Sequence, residues 1–170
     1  MTALLFSGGW DSAACFYLEK KRGESPHLLF VDYGQIYERN ERHAADEFAK
    51  RNDAFIAHAH LGLVHDQDRR NFFLLAEAKR LGYDTVICGS RNILPWFDKY
   101  RDSNWLSLKL FSILMNVRVR LPVVAWPKRR IVHYVRQNYS GPIYNCYLAK
   151  DDFRLCPCPN CAEQREIHSS

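Results

Sequence analysis

The chain has 170 residues, of which 47% are hydrophobic, 14% aromatic and 25% charged. That length suits one domain, residues 1–170, with a substantial core, and the composition excludes disorder and collagen-like structure. Net charge is +5, from 24 Lys plus Arg against 19 Asp plus Glu. No apolar run reaches the ~18 residues of a membrane span, and the opening MTALLFSGGWDS has neither a basic n-region nor an apolar h-region, so a cytoplasmic protein with no membrane partner is expected.

In chain order, an apolar burst predicts a strand over 3–6, followed by a helix over 12–21 that Gly23 closes. A strand over 27–31 and a helix over 38–51 come next. A strand over 54–58 precedes a helix over 70–81, closed by Gly82. A strand over 85–88 leads to a helix over 105–115, and a last strand over 122–125 to a helix over 128–137. Such alternation predicts the α/β class: a parallel five-stranded sheet, right-handed crossovers and helices on both faces. Ligands bind outside the carboxyl ends of such strands. SGGWDS after the first strand, DYGQ after the second and GSRN after the fourth all fall on that edge.

SGGWDS, residues 7–12, joins a buried strand to a helix. Gly8 and Gly9 allow close backbone approach to an anion, and the N–H groups opening the helix point at it. The loop is neither a Walker motif nor G-x-G-x-x-G. Residues 103–150 contain no acidic side chain but eight basic ones, including Lys128, Arg129 and Arg130. That stretch either draws in phosphates or forms a solvated face.

Cys146, Cys156, Cys158 and Cys161 cluster near the C-terminus, which in an intracellular chain suggests metal before disulfides. Four thiolates suffice for a closed, structural zinc site over residues 144–166; an iron–sulfur cluster or unrelated buried thiols are the alternatives. Cys15 and Cys88 read as packing residues, and His58 and His60 as strand-edge residues. Trp96, Phe97 and Tyr100 either stack on a flat base or anchor a loop.

The SGGWDS loop resembles the pyrophosphatase loop of the N-type ATP pyrophosphatases, the PP-loop superfamily. With DYGQ at 32–35, Arg70–Asn71 opening a helix, and the cysteine cluster, the chain looks like a short, divergent member of the 7-cyano-7-deazaguanine synthase, or QueC-like, family. It departs from the family pattern in having Ile36–Tyr37 where Arg-His is usual, Glu41 shifted by one residue, Arg69 in place of a glycine, and C-x-C-x-x-C in place of C-x-x-C-x-x-C.

The resemblance implies an adenine nucleotide alpha hydrolase-like fold and ATP, Mg²⁺ and structural Zn²⁺ as cofactors. Phe6, Ser7, Gly8, Gly9, Asp11, Ser12 and Gly89 would hold ATP, with Asp11 placing Mg²⁺ or orienting the loop. Asp11, Ser12, Lys128 and Arg129 are the candidate catalytic residues. Tyr33, Gln35, Arg70, Asn71, Asp98, Tyr100 and Asp102 would contact the substrate, and Cys146, Cys156, Cys158 and Cys161 the zinc. The implied reaction adenylates 7-carboxy-7-deazaguanine, releases pyrophosphate and admits ammonia, giving the amide and then the nitrile. Alternatives are an antiphage-defence enzyme that conjugates the deazaguanine to a protein amine, a tRNA thiolase or tRNA-lysidine enzyme, and a non-catalytic nucleotide-binding subunit. The family pattern also implies a homodimer; the lack of room for an RNA-binding domain argues against nucleic acid as a partner.

Overall fold

A computed structural model describes residues 1–62, 67–90 and 105–144, with 158, 161 and 165. The chain runs through β1 (Thr2–Leu5), α1 (Trp10–Lys21), β2 (His27–Asp32), α2 (Glu38–Arg51) and β3 (Ile56–His60). It continues through α3 (Gln67–Arg80), β4 (Thr85–Ile87), α4 (Trp105–Leu114), β5 (Arg118–Arg120) and α5 (Lys128–Asn138). Every strand pairing is parallel, in the spatial order β3-β2-β1-β4-β5.

The period-two alternation of the strands divides the core. Leu4, Phe6, Leu28, Phe30 and Ile87 pack with α1, α2 and α5 on one face, while Ala3, Leu29, Val31 and Val86 pack with α3 and α4 on the other. Strands covered on both faces have no polar side to show, which is why they read as continuous apolar bursts. On the first face Phe48 meets Phe6 and Phe16, with ring centroids 4.5 and 5.2 Å apart. Each such fully buried ring contributes roughly 1.5–3 kcal/mol.

The fifth strand is not where the apolar run PVVA predicts it. Asn116, at φ 50°, turns the chain at the end of α4, and Arg118–Arg120 pairs with Thr85–Ile87. Arg120 then reaches back to α1, its Nη2 lying 2.7 Å from Oε2 of the fully buried Glu19. Pro122 has no N–H to give a ladder, and residues 122–125 form a turn closed by Trp126 N–H donating to the Val123 carbonyl at 2.9 Å. The hydrophobicity that suggested a strand instead puts Val123 in the core beside α5. β3 also begins two residues late, because Asp53 at φ 49° and Ala54 N–H bonded to the Ala49 carbonyl finish the end of α2 first.

The chain steps outward from β1 to β2 to β3, then returns to place β4 on the other side of β1. The strand order reverses there, and the crevice outside the carboxyl ends of β1 and its neighbours is where such sheets bind ligands. No helix among the described residues is long and apolar enough to cross a membrane.

Candidate active site

A cleft of ≈ 210 Å³ opens at that reversal point, with Leu29, Phe30, Val31 and Leu74 as apolar lining. Its first wall is the loop after β1. Gly8 has φ +74°, and a Cβ there would stand 2.8 Å from the Glu41 carbonyl oxygen and 2.9 Å from Ala44 Cβ. Only glycine allows α2 to lie so close to the loop. Gly89 is similarly constrained by the start of α1, since its Cβ would fall 2.8 Å from Ser12 N. α1 begins without a side-chain cap at Gly9, and Ser12 Oγ donates back to the Gly9 carbonyl at 3.0 Å. An uncapped helix start beside the cleft is suited to phosphate oxygens.

Lys128, the first residue of α5, is only 4% exposed, and its Nζ donates to Asp11 Oδ2 at 2.8 Å. A residue 117 positions away thus supplies a cation to the loop, and Asp11 holds it there. The chain after α5 returns to the same wall, where Tyr144 N–H donates to the Gly8 carbonyl at 3.0 Å.

The second wall, after β2, is built from side chains. Gln35 Oε1 accepts from Tyr33 N–H at 2.9 Å, and its Nε2 donates to Glu41 Oε2 at 3.0 Å. Arg70 Nη1 donates to Tyr33 Oη at 3.3 Å, with the guanidinium carbon 5.1 Å from the tyrosine ring centroid. Burial raises the Tyr33 pKa, with the Arg70 charge opposing. Burial pushes the Glu41 carboxyl up to about 8, against the Gln35 hydrogen bond and the Arg70 charge. At the rim, burial would raise the Asp32 pKa, but the Gly34 N–H at 2.8 Å and His60 Nδ1 at 2.7 Å hold it below its ordinary value.

Of the expected nucleotide residues, Phe6, Ser7, Gly9, Asp11, Ser12 and Gly89 line the cleft, and Gly8 shapes its wall. Of the expected substrate residues, Tyr33, Arg70 and Asn71 line it, with Gln35 supporting Tyr33 and Glu41. Of the expected catalytic cations neither is part of the lining: Lys128 reaches it through Asp11, and Arg129 is exposed. Asp98, Tyr100, Asp102, Cys146 and Cys156, with Trp96 and Phe97, lie outside the described residues. Cys158 and Cys161 are buried together in a small cluster against Tyr144. Two adjacent buried thiols fit one half of a four-thiolate site, and Tyr144 connects them to the loop after β1.

In the sequence Tyr37 and Glu41 stood out only as departures from the family pattern and Ser90 only within GSRN, Tyr144 was missed, and Cys88, favoured as packing, reaches the cleft. Tyr37 and Glu41 stand four residues apart, one helical turn, and carried that signal. Tyr144 carried none. Cys15 is core, as expected; burial pushes its thiol pKa up, with Cys88 adding to the effect. His58 pairs with Asp46 at 3.0 Å, as a strand-edge residue does.

The family model for the queuosine biosynthesis protein QueC matches residues 2–68, the stretch holding the phosphate loop and most of the second wall. Over 98% of its length the chain is 25% identical to 7-cyano-7-deazaguanine synthase 1 of Sulfurisphaera tokodaii, covering 92% of that protein. Over residues 2–68 the chain is thus similar to QueC. A 50-residue segment, 29% of this chain, is 44% identical to 7-cyano-7-deazaguanine synthase of Pyrococcus furiosus and covers 21% of that protein. In fold it is similar to a crystal structure described as a predicted subunit of tRNA methyltransferase from Methanocaldococcus jannaschii. The TM-score is 0.55 at 20% identity, over 87% of this chain and 82% of the other.

Proposed function

We propose that the protein is an ATP-dependent carbon–nitrogen ligase of the 7-cyano-7-deazaguanine synthase type, which adenylates 7-carboxy-7-deazaguanine in the cytoplasm and passes the acyl group to a nitrogen nucleophile. The observation that carries this reading is one cleft joining the uncapped start of α1 to a wall bearing Arg70, Asn71 and Tyr33, with the buried Lys128 paired to Asp11 in its lining. The first wall suits a triphosphate and the second a planar acid. The QueC relatives supply the substrate class.

On this reading the N–H groups at the start of α1, with Ser7 and Ser12, hold the leaving pyrophosphate, and Lys128 offsets its charge from a fixed position. Mg²⁺, when bound, neutralises phosphate oxygens and uses few protein carboxylates. Asp11, already bonded to Lys128, keeps that lysine at the loop and is the carboxylate that would help hold the metal. The Arg70 fork matches a carboxylate bidentately and presents it to the α-phosphate. Catalysis is then positioning and charge neutralisation, with no nucleophilic side chain. Cys146, Cys156, Cys158 and Cys161 would hold structural zinc, so elemental analysis should find about one zinc per chain. For the activity itself the test is acid-dependent exchange of labelled pyrophosphate into ATP. Exchange that appears only when 7-carboxy-7-deazaguanine is added is the expected result; none with this acid would refute the reading.

A further inference from the structure

Building on that reading, we infer that Glu41 is the general base of the nitrogen-transfer step, taking the proton from the amine as it attacks the adenylated carbonyl.

Glu41 touches both halves of the site. Its backbone carbonyl abuts Gly8 in the loop after β1, the residue lines the cleft, and its carboxyl lies in the field of Arg70. An acyl group bridging the α-phosphate to the Arg70 wall therefore passes beside it. Asp11 lines the same cleft, but its Oδ2 is bonded to the Lys128 ammonium, which suits an anchor better than a proton acceptor. Glu41 is held by one neutral amide, Gln35 Nε2 on Oε2, and its Oε1 has no partner among the described residues. Gln35 is itself fixed by the Tyr33 N–H, so the carboxyl keeps its direction whichever protonation state it is in.

In the step, the nitrogen lone pair forms the C–N bond and the acyl C–O bond to AMP breaks, its electron pair leaving with AMP. The proton lost from nitrogen goes to Glu41 and then to water. Bases are most effective when their pKa lies near the working pH, and burial brings Glu41 to about 8. Among the described residues, the charged and titratable groups around it are Glu38 on its own helix, Tyr33 and Tyr37 at the β2 end, and Arg70 on α3, with the Asp11–Lys128 pair across the cleft. Glu38 adds to the upward shift and Arg70 opposes it. The rate of nitrogen transfer should rise with pH through about 8 as the carboxylate forms.

The test compares wild type, Glu41→Gln and Glu41→Asp in two assays. Pyrophosphate exchange reports adenylation, and mass-detected amide formed from ammonium reports transfer. Glu41→Gln should lose roughly 100-fold or more in amide formation, far beyond any loss in exchange, and, with rates referred to the free ammonia at each pH, its rise near 8 should disappear. Glu41→Asp, which keeps a carboxylate, should restore part of the rate. Amide formation by Glu41→Gln at the wild-type rate and pH profile would overturn the inference, as would equal losses in both assays. If wild type itself shows no acid-dependent exchange, the proposed function falls and this role with it.

Discussion

The two walls of the cleft are built by different means. The loop after β1 is set by backbone: Gly8 wedged against α2, Gly89 against the start of α1, and a buried lysine from the far end of the chain. The wall after β2 is a relay of side chains, Tyr33, Gln35, Glu41 and Arg70, in which burial pushes the Glu41 carboxyl up to about 8. Backbone walls suit a ligand part that is always the same, a phosphate chain. Side-chain relays can be retuned one residue at a time, which suits the part of a reaction that differs between relatives. Substitutions on the first wall should therefore disable everything, and those on the second should separate one step or ligand from another.

The largest effect is expected from Gly8→Ala. A positive φ costs a non-glycine residue roughly 1–2 kcal/mol, and forcing a methyl into packed surroundings about 1–3 more. Calorimetry should show a clear fall in melting temperature, with loss of pyrophosphate release. Lys128→Met comes next. Removing one partner of a buried ion pair costs about 3–5 kcal/mol, and the low end applies here because Asp11 is 22% exposed. The variant should lose pyrophosphate exchange while Asp11→Asn, which can still accept the lysine, loses less; the reverse order would mean that Asp11 acts mainly on the metal. Arg70→Lys should then raise the KM for the deazaguanine acid by about tenfold, some 1.4 kcal/mol, with little change for ATP, because an ammonium cannot reproduce the planar fork. Equal changes in both would place Arg70 at the nucleotide.

The smallest effect concerns the rim. Asp32 has a folded pKa below its unfolded value, so it stabilises the protein above the unfolded pKa and loses that contribution as pH falls through the folded one. Asp32→Asn should lower stability by about 1 kcal/mol at pH 7 and by almost nothing near pH 2, as denaturant melts at the two pH values would show. Glu41 carries the opposite sign. Its raised pKa makes the native state the tighter proton binder between its unfolded pKa and about 8, so its contribution to stability declines as pH rises through that window.

Much of the fold was legible in the sequence because strands buried on both faces must be apolar and a tight turn at φ +74° needs glycine. The helices among the described residues followed from their helical spacing. PVVA at 122–125 was misread because apolar character reports burial and not backbone pairing; Val123 is as buried as any strand residue while its chain is turning. Loop residues Ser7 to Ser12 announced themselves by local pattern. Lys128 was visible only as one of several basic residues, and what distinguished it from the exposed Arg129 was a contact spanning 117 positions. Glu41 and Tyr144 had less to show, since their roles depend on how α2 and the chain after α5 dock on the loop, and such contacts leave little trace in local spacing.

The most direct test of the account is mass spectrometry of the products formed from ATP, Mg²⁺ and 7-carboxy-7-deazaguanine, with and without ammonium. The account predicts pyrophosphate only when the acid is present, and AMP with a deazaguanine amide or nitrile only when ammonium is present as well. Intact acid beside unconsumed ATP, or ATP cleavage that ignores the acid, would contradict it.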